Sequence, residues 1–266
     1  MTVRSGAWVV DGNGDFDLAC AVLSRDHIAN AYALCDLEPP FDRYTTVAVA
    51  ACSGEAAAAC LVVRHPEFTG IVTYGHAEGV HAALGTVDLP AVTHVDLPAG
   101  HRPIVERFYA FTQPRQRRVM AVNAGTFRPV SGRPRGLVRL GVEDYTRLVD
   151  LYAEYEDGVF YRAQLEQGVF YGVQEGDCLV AAGGTVGMAR KCGIAVVADV
   201  FTRPEARRRG FGMVVTSAIT AECLVRGCWD VCLDVEVTNG VATRTYERLG
   251  FRAHSRRWQG MVERRS

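Results

Sequence analysis

Residues 203–251 read RPEARRRGFGMVVTSAITAECLVRGCWDVCLDVEVTNGVATRTYERLGF, and the order of signals along that run decides the fold. A strand-like stretch, Ile194–Thr202, apolar enough to lie centrally in a sheet, leads into Arg207-Arg208-Arg209-Gly210-Phe211-Gly212. That turn opens a helix in which Val214, Ala218, Ala221 and Val225 recur at four, three and four, and Gly227 stands where a helix stop belongs. Asp230 to Val237 then alternates strictly, with Val231, Leu233, Val235 and Val237 on one face and Asp230, Cys232, Asp234 and Glu236 on the other. This predicts a strand with one apolar side. Helical spacing returns from Asn239 to Leu249; Gly250 caps it, and Phe251 starts a last strand.

Two features of this run carry chemistry. Glycines in the 207–212 turn let the backbone come close to a ligand, and the free N–H groups of the first helical turn, aided by the helix dipole, form a site for an anion such as a pyrophosphate. Downstream, Asn239, Ala242 and Tyr246 are three and four residues apart and therefore share one helix face.

With the following Glu247-Arg248-Leu249-Gly250-Phe251, those three residues reproduce an N-x-x-A-x-x-x-Y-E-x-L-G-F pattern. The chain from about Leu137 onward thereby resembles the GNAT superfamily of acyl-CoA N-acyltransferases, the two motifs standing in the right order with a helix and a strand between them. The resemblance implies that backbone amides from Arg208 to Met213, within the Arg207–Gly212 turn and just after it, bind the pyrophosphate of coenzyme A. It implies too that Val200, Phe201 and Thr202 splay from the neighbouring strand and pair with the pantetheine arm, and that Asn239 and Tyr246 flank that arm near the thioester.

Upstream of the quoted run the same half predicts a strand at Leu137–Leu140 and an amphipathic helix over Val142–Tyr155 with Tyr145, Leu148, Leu151 and Tyr152 on one face. A short helix at Phe160–Glu166 follows, then strands at Val169–Gln174 and Cys178–Thr185 around the hairpin turn Glu175-Gly176-Asp177. Residues 128–136, rich in Pro, Gly, Ser and Arg, read as a linker. Before it, the first domain, 1–127, shows strand-like runs at Thr45–Ala51, Ala57–Val63 and Gly70–Tyr74, a helix over Ala77–Leu84 and an apolar stretch at Ala91–Val95. A helix around Ile104–Phe111 and a strand around Arg118–Asn123 complete it. Its Tyr74–Gly79 stretch lacks the R-x-x-G-x-G arrangement. The expected architecture is thus α/β (α+β): tandem GNAT-like domains, each a mixed, mostly antiparallel sheet flanked by helices. The first resembles the non-catalytic domain of glycine N-acyltransferase-like members, and only the second, 137–266, carries a cofactor site.

Composition narrows the function classes. With 266 residues, 48% hydrophobic, and a formal charge of -1, the chain can bury a sizeable core and has no domain-wide basic excess for nucleic acid. No run approaches the roughly 18 apolar residues of a membrane helix, and Met1 to Phe16 lacks a basic flank before an apolar run, so a cytoplasmic, membrane-free location is expected. Nine scattered cysteines without a Cys-x-x-Cys pair, and histidines without metal spacing, speak against a disulfide framework and against a metal.

The reaction implied is transfer of the acetyl group of acetyl-CoA, or of another acyl-CoA, to a primary amine of a small molecule or amino acid in a ternary complex. Such a reaction needs a proton acceptor, an oxyanion donor and help for the departing thiolate. Tyr246, a phenol with an ordinary pKa near 10, is the expected thiolate partner. Asp199, expected on a buried strand face with Val197 and Phe201 where desolvation raises a carboxyl pKa, is the expected base, with Glu236 as its rival. A main-chain N–H near Val200 or Phe201 is the expected oxyanion donor. The acceptor is expected to enter beside Tyr152, Tyr155, Glu156, Asp157, Phe160 and Tyr161, an aromatic and acidic mix suited to a cationic amine. The alternatives are an acyl-CoA-binding sensor without turnover and a protein or peptide N-acetyltransferase; the chain is compatible with a homodimer under any of these readings.

Overall fold

The computed structural model describes residues 2–265 apart from 6, 13, 133, 154–159 and 161. Its chain forms two compact units, one of residues 1–119 with 255–266, the other of residues 120–254. Composition puts the division at 128–136; the compact units divide elsewhere, for hydrogen-bonding reasons. Arg128 N–H donates to the Leu249 carbonyl (2.9 Å) and Val130 N–H to Ser217 Oγ (2.9 Å), which ties that segment into the second unit. Conversely, Arg257–Glu263 run antiparallel against Pro98–Val92, so the end of the chain completes the first unit.

The first unit contains β1 (Thr2–Ser5), β2 (Trp8–Asp11), α1 (Phe16–Leu23), α2 (Ala31–Asp36), β3 (Thr45–Cys52), β4 (Glu55–His65), β5 (Phe68–Gly75), α3 (Ala77–Leu84), β6 (Val92–Pro98), α4 (Arg102–Val105) and β7 (Tyr109–Phe111). Strands β1 to β5 pair antiparallel in sequence order, and β5 pairs parallel with β6 through the α3 crossover. A helix over Ile104–Phe111 is not formed. It stops at Val105, and Tyr109–Phe111 becomes a strand against Val262–Arg264, as suits an aromatic run whose Tyr109 is fully buried. The Tyr109 hydroxyl donates to the Pro90 carbonyl at 2.8 Å. Strand β8 (Arg115–Asn123) follows.

The second unit runs β9 (Leu137–Leu140), α5 (Tyr145–Tyr152), α6 (Arg162–Gln167), β10 (Phe170–Glu175), β11 (Cys178–Ala189), β12 (Ile194–Thr202), α7 (Phe211–Val225), β13 (Asp230–Glu236) and α8 (Gly240–Arg248); β14 (Arg252–Arg264) ends the chain. Strands β9 to β12 pair antiparallel in order, and β12 pairs parallel with β13 through the α7 crossover. The buried face of α5 holds Leu148, Leu151 and Tyr152. On α7 the core face is Val215, Ile219 and Cys223, all at 0% exposure. The expected stripe is displaced from it: Val214 is buried, Ala218 and Ala221 are half-buried, and Val225 is 87% exposed. Ile219 and Val215, larger than Ala218 and Ala221, take the inner face, since burying each contributes about 1.5–3 kcal/mol. Among the described residues no helix is long and apolar enough to cross a membrane.

Candidate functional site

Strand β12 ends at Thr202, and the chain reaches α7 through Arg203–Gly210. Arg203 is anchored by its N–H to the Val180 carbonyl (3.0 Å) and by its guanidinium to Asp150 (2.8 Å). Arg208 and Gly210 both take left-handed conformations, φ 62° and 81°, and Gly210 is the N-cap of α7 without a side-chain cap. Left-handed turns of this kind aim successive amides to one side. The helical ladder starts with Val214 N–H to the Gly210 carbonyl (3.1 Å). Hence the N–H groups of Phe211, Gly212 and Met213 have no carbonyl one turn behind them within the helix. A Cβ built on Gly210 would meet nothing within 4 Å, and one on Gly212 would lie 3.7 Å from Val200 Cγ1 and 3.9 Å from Thr202 Oγ1. The amide row therefore opens beside the end of β12.

The three arginines of the turn differ. Arg207 Nε donates to the Thr202 carbonyl (3.2 Å) and bridges turn to strand. Arg209 forms a two-point ion pair with Glu175 of the β10–β11 hairpin, Nη1 to Oε2 at 2.9 Å, and lies 4.6 Å over the Phe211 ring. That hydrogen-bonded pairing holds the Glu175 carboxyl below and the Arg209 guanidinium above their ordinary ranges. Glu175 enters the sequence only as part of a turn; its grip on Arg209 has no local signal. Arg208 is exposed.

Parallel pairing between β12 and β13 covers Ile194–Val197 against Asp230–Leu233 and goes no further, although β12 continues to Thr202 and β13 to Glu236. The edge of Val200, Phe201 and Thr202 facing β13 is thus outside the ladder. On the other edge, Ala198 pairs with Gly184 and Phe201 with Ala182, so Asp199 and Val200 both face Gly183 in a bulge. Asp199 has φ 53°. The bulge removes it from the expected alternation with Val197 and Phe201, and its side chain is half-buried where the sequence predicts a buried acid. Asp tolerates the left-handed region better than most residues, which supplies a conformational reason for an Asp at this position.

Glu236 is half-buried at the end of β13, with Oε2 3.5 Å from Thr238 Oγ1. Asn239 is the N-cap of α8, its Oδ1 accepting the Ala242 N–H at 3.0 Å. Tyr246, half-buried, tilts against Phe251 with ring centres 6.0 Å apart. Of the aromatic residues expected near the acceptor, Tyr152 is buried and packs on Phe160 at 5.2 Å; Phe160 also meets Tyr145 (5.6 Å) and Phe170 (5.7 Å). Tyr155, Glu156, Asp157 and Tyr161 lie outside the described residues.

The same strand–helix–strand unit in the first half has different contents. Pairing of β5 with β6 ends at Val72 and Asp96. Beyond that point His101, 6% exposed, sits with Nε2 2.9 Å from the Gly75 carbonyl and Nδ1 2.9 Å from Thr73 Oγ1. These partners fit a neutral ring, and burial holds its pKa below the ordinary value. Helix α3 follows β5 without an intervening turn. Its N-terminus is capped by His76, whose ring accepts the Glu78 N–H (3.3 Å) and lies against Trp8, ring centres 5.2 Å apart. A Cβ on Gly79 would stand 2.7 Å from the Trp8 ring. The Glu78 amide of that first turn is thus occupied from within the chain.

Residues 172–259 match the family model described as FR47-like protein. No curated protein sequence matches the chain. Among solved structures, a GCN5-related N-acetyltransferase from Kribbella flavida is similar with a TM-score of 0.63 at 18% identity, covering 92% of this chain and 96% of that one. The corresponding enzyme from Sphaerobacter thermophilus gives 0.58 at 15%, covering 98% and 97%. The carboxy-terminal half has the GNAT fold. A tandem GNAT protein from the clavulanic acid biosynthesis pathway gives 0.57 at 13%, covering 97% of this chain and 98% of that one, and extends the fold likeness to both halves. At these identities the solved structures speak for fold: the chain has a tandem GNAT fold, a mixed and mostly antiparallel architecture flanked by helices.

Proposed function

We propose that the second unit is an N-acetyltransferase that uses acetyl-CoA, or another acyl-CoA, as co-substrate and transfers the acyl group to a primary amine of a small molecule or amino acid. The observation that carries this reading is the meeting, at one end of β12, of amides lacking helical partners at Phe211–Met213 and a strand edge released from its ladder at Val200–Thr202. The first suits a diphosphate in charge and geometry, the positive end of the helix dipole adding to it. The second offers main-chain groups to the amides of the pantetheine arm, as an added strand would use them.

Chemistry then follows from the chain's own groups. The uncharged amine attacks the thioester carbon, a C–N bond forms, the C–S bond breaks, and the thiolate leaves with the electron pair. A main-chain N–H at the bulge donates to the developing oxyanion. Tyr246 gives a proton to the sulfur, and the proton lost by the amine passes to Asp199 or Glu236. The first unit binds no coenzyme, because His101 fills the position beyond the β5–β6 ladder and His76 with Trp8 covers the start of α3.

Calorimetric titration should give one acetyl-CoA per chain, and free thiol should appear when acetyl-CoA meets a competent member of an amine panel. Asp199→Asn and Glu236→Gln then separate the two bases, since the variant that loses the base depresses kcat while coenzyme affinity stands. A chain that does not bind acetyl-CoA overturns the proposal. Two bound molecules per chain would refute the silence of the first unit.

A further inference from the structure

The bulge at Asp199 has a dedicated support. Tyr152, the last residue of α5 and 7% exposed, donates its hydroxyl to the Asp199 carbonyl at 2.8 Å. The ring itself is locked in the cluster of Leu148, Leu151, Leu165, Phe170 and Phe201, with Phe160 against it. Val200, the next residue, lies beside two glycines: a Cβ on Gly183 would stand 3.0 Å from its Cγ2, and one on Gly212 3.7 Å from its Cγ1. The peptide between Asp199 and Val200 is planar, so its carbonyl and its N–H point in opposite directions. Whatever holds the carbonyl also aims the N–H.

We infer that Tyr152 is a positioning residue for acyl transfer: its hydroxyl on the Asp199 carbonyl turns the Val200 N–H toward the thioester oxygen. The inference rests on the acyl-CoA reading above. The bulge interrupts the regular ladder at this peptide, and the left-handed Asp199 would relax if its carbonyl lost the Tyr152 hydroxyl. The ring of Tyr152 explains its place in the core. Its hydroxyl is the part that acts on the bulge.

The test needs no acceptor amine. Acetyl-CoA has the carbonyl oxygen that the Val200 N–H would meet; the thioether S-ethyl-CoA has the same length without it. Wild-type protein should prefer acetyl-CoA by about three- to tenfold, the worth of one net hydrogen bond. In Tyr152→Phe that preference should fall to near unity while the affinity for S-ethyl-CoA stays within about twofold, a split that loss of packing alone would not give. Where an acceptor is known, kcat should fall about ten- to a hundredfold, beyond a rise in the KM for acetyl-CoA of about the same three- to tenfold as its lost affinity, and short of the roughly hundred- to thousandfold of a deleted oxyanion donor. An undiminished preference in the folded variant overturns the inference and leaves the acyl-CoA reading intact; a wild type that binds neither compound overturns both. If Tyr152→Phe does not fold, a wild-type crystal structure with acetyl-CoA decides. The thioester oxygen within hydrogen-bond distance of Val200 N supports the inference, and its acceptance of any other donor refutes it.

Discussion

Gly212→Ala should stabilise the protein and weaken its grip on acetyl-CoA, two effects of opposite sign from one methyl group. Gly212 is the second residue of α7, and its φ lies outside the left-handed region. The added Cβ would meet Val200 Cγ1 at 3.7 Å and Thr202 Oγ1 at 3.9 Å, ordinary van der Waals contact. Nothing in the protein opposes the change, and replacing glycine by alanine in a helix gains about 0.5–1 kcal/mol, a rise in Tm of about 1–4 °C. On the acyl-CoA reading proposed above, the same methyl would crowd the approach of a phosphate oxygen to the amides of Gly212 and Met213. Losing one charge-assisted hydrogen bond costs about 1.5–3 kcal/mol, so acetyl-CoA affinity should fall at least about tenfold. Differential scanning fluorimetry reads the first effect and calorimetry the second. A variant with raised Tm and unchanged affinity would show that no phosphate approaches this turn, and a lowered Tm would refute the open packing assigned to Gly212.

Three further outcomes concern the scaffold. Burial, and then the neighbouring Asp96, push the Asp36 carboxyl up to about 8; the unfolded chain ionises near pH 4 while the folded one holds the proton to about pH 8, so Asp36 erodes stability across that window and changes nothing below it. Because Asp36 keeps part of its surface accessible, about 1–3 kcal/mol is expected, less than the full shift at about 1.4 kcal/mol per unit; denaturant melts of Asp36→Asn should be flatter over pH 4–8 and the variant more stable at pH 8. Arg257, 2% exposed, is ion-paired with Asp96 and donates to the Ala29 carbonyl at 2.6 Å. Arg257→Met should cost about 3–5 kcal/mol by stranding a buried carboxylate, and adding Asp96→Leu should recover most of it, as urea melts of the two variants would show. At Gly250, φ is 92° and a Cβ would stand 2.0 Å from the Thr126 carbonyl oxygen, so Gly250→Ala should lower stability by roughly 2–4 kcal/mol in the same assay.

The elements that sequence spacing resolves are those bounded by clear start and stop signals, such as a capping residue before the helix or a glycine after it. Ala77–Leu84 and Ile194–Thr202 form with the expected bounds, and Asn239–Leu249 differs by one residue at each end. Where neighbouring faces are both apolar, as on α7, periodicity chooses the wrong stripe, because Val215 and Ile219 outweigh the alanines in buried area. The bulge escapes an alternation argument: its one local sign is an Asp, a poor strand former, inside an apolar strand. Tyr152 is legible as a core aromatic, but its bond to a carbonyl 47 residues on depends on tertiary placement. The return of residues 255–266 to the first unit is likewise a matter of pairing partners, which no local composition encodes. His101 reads as one histidine among seven until the β5–β6 ladder places Gly75 and Thr73 around it.

A crystal structure of the chain with coenzyme A bound measures the decisive contact directly. Diphosphate oxygens within about 3 Å of the main-chain nitrogens of Phe211, Gly212 and Met213, with the first unit empty, is the predicted result. Coenzyme held elsewhere, with those three nitrogens facing solvent, would contradict it.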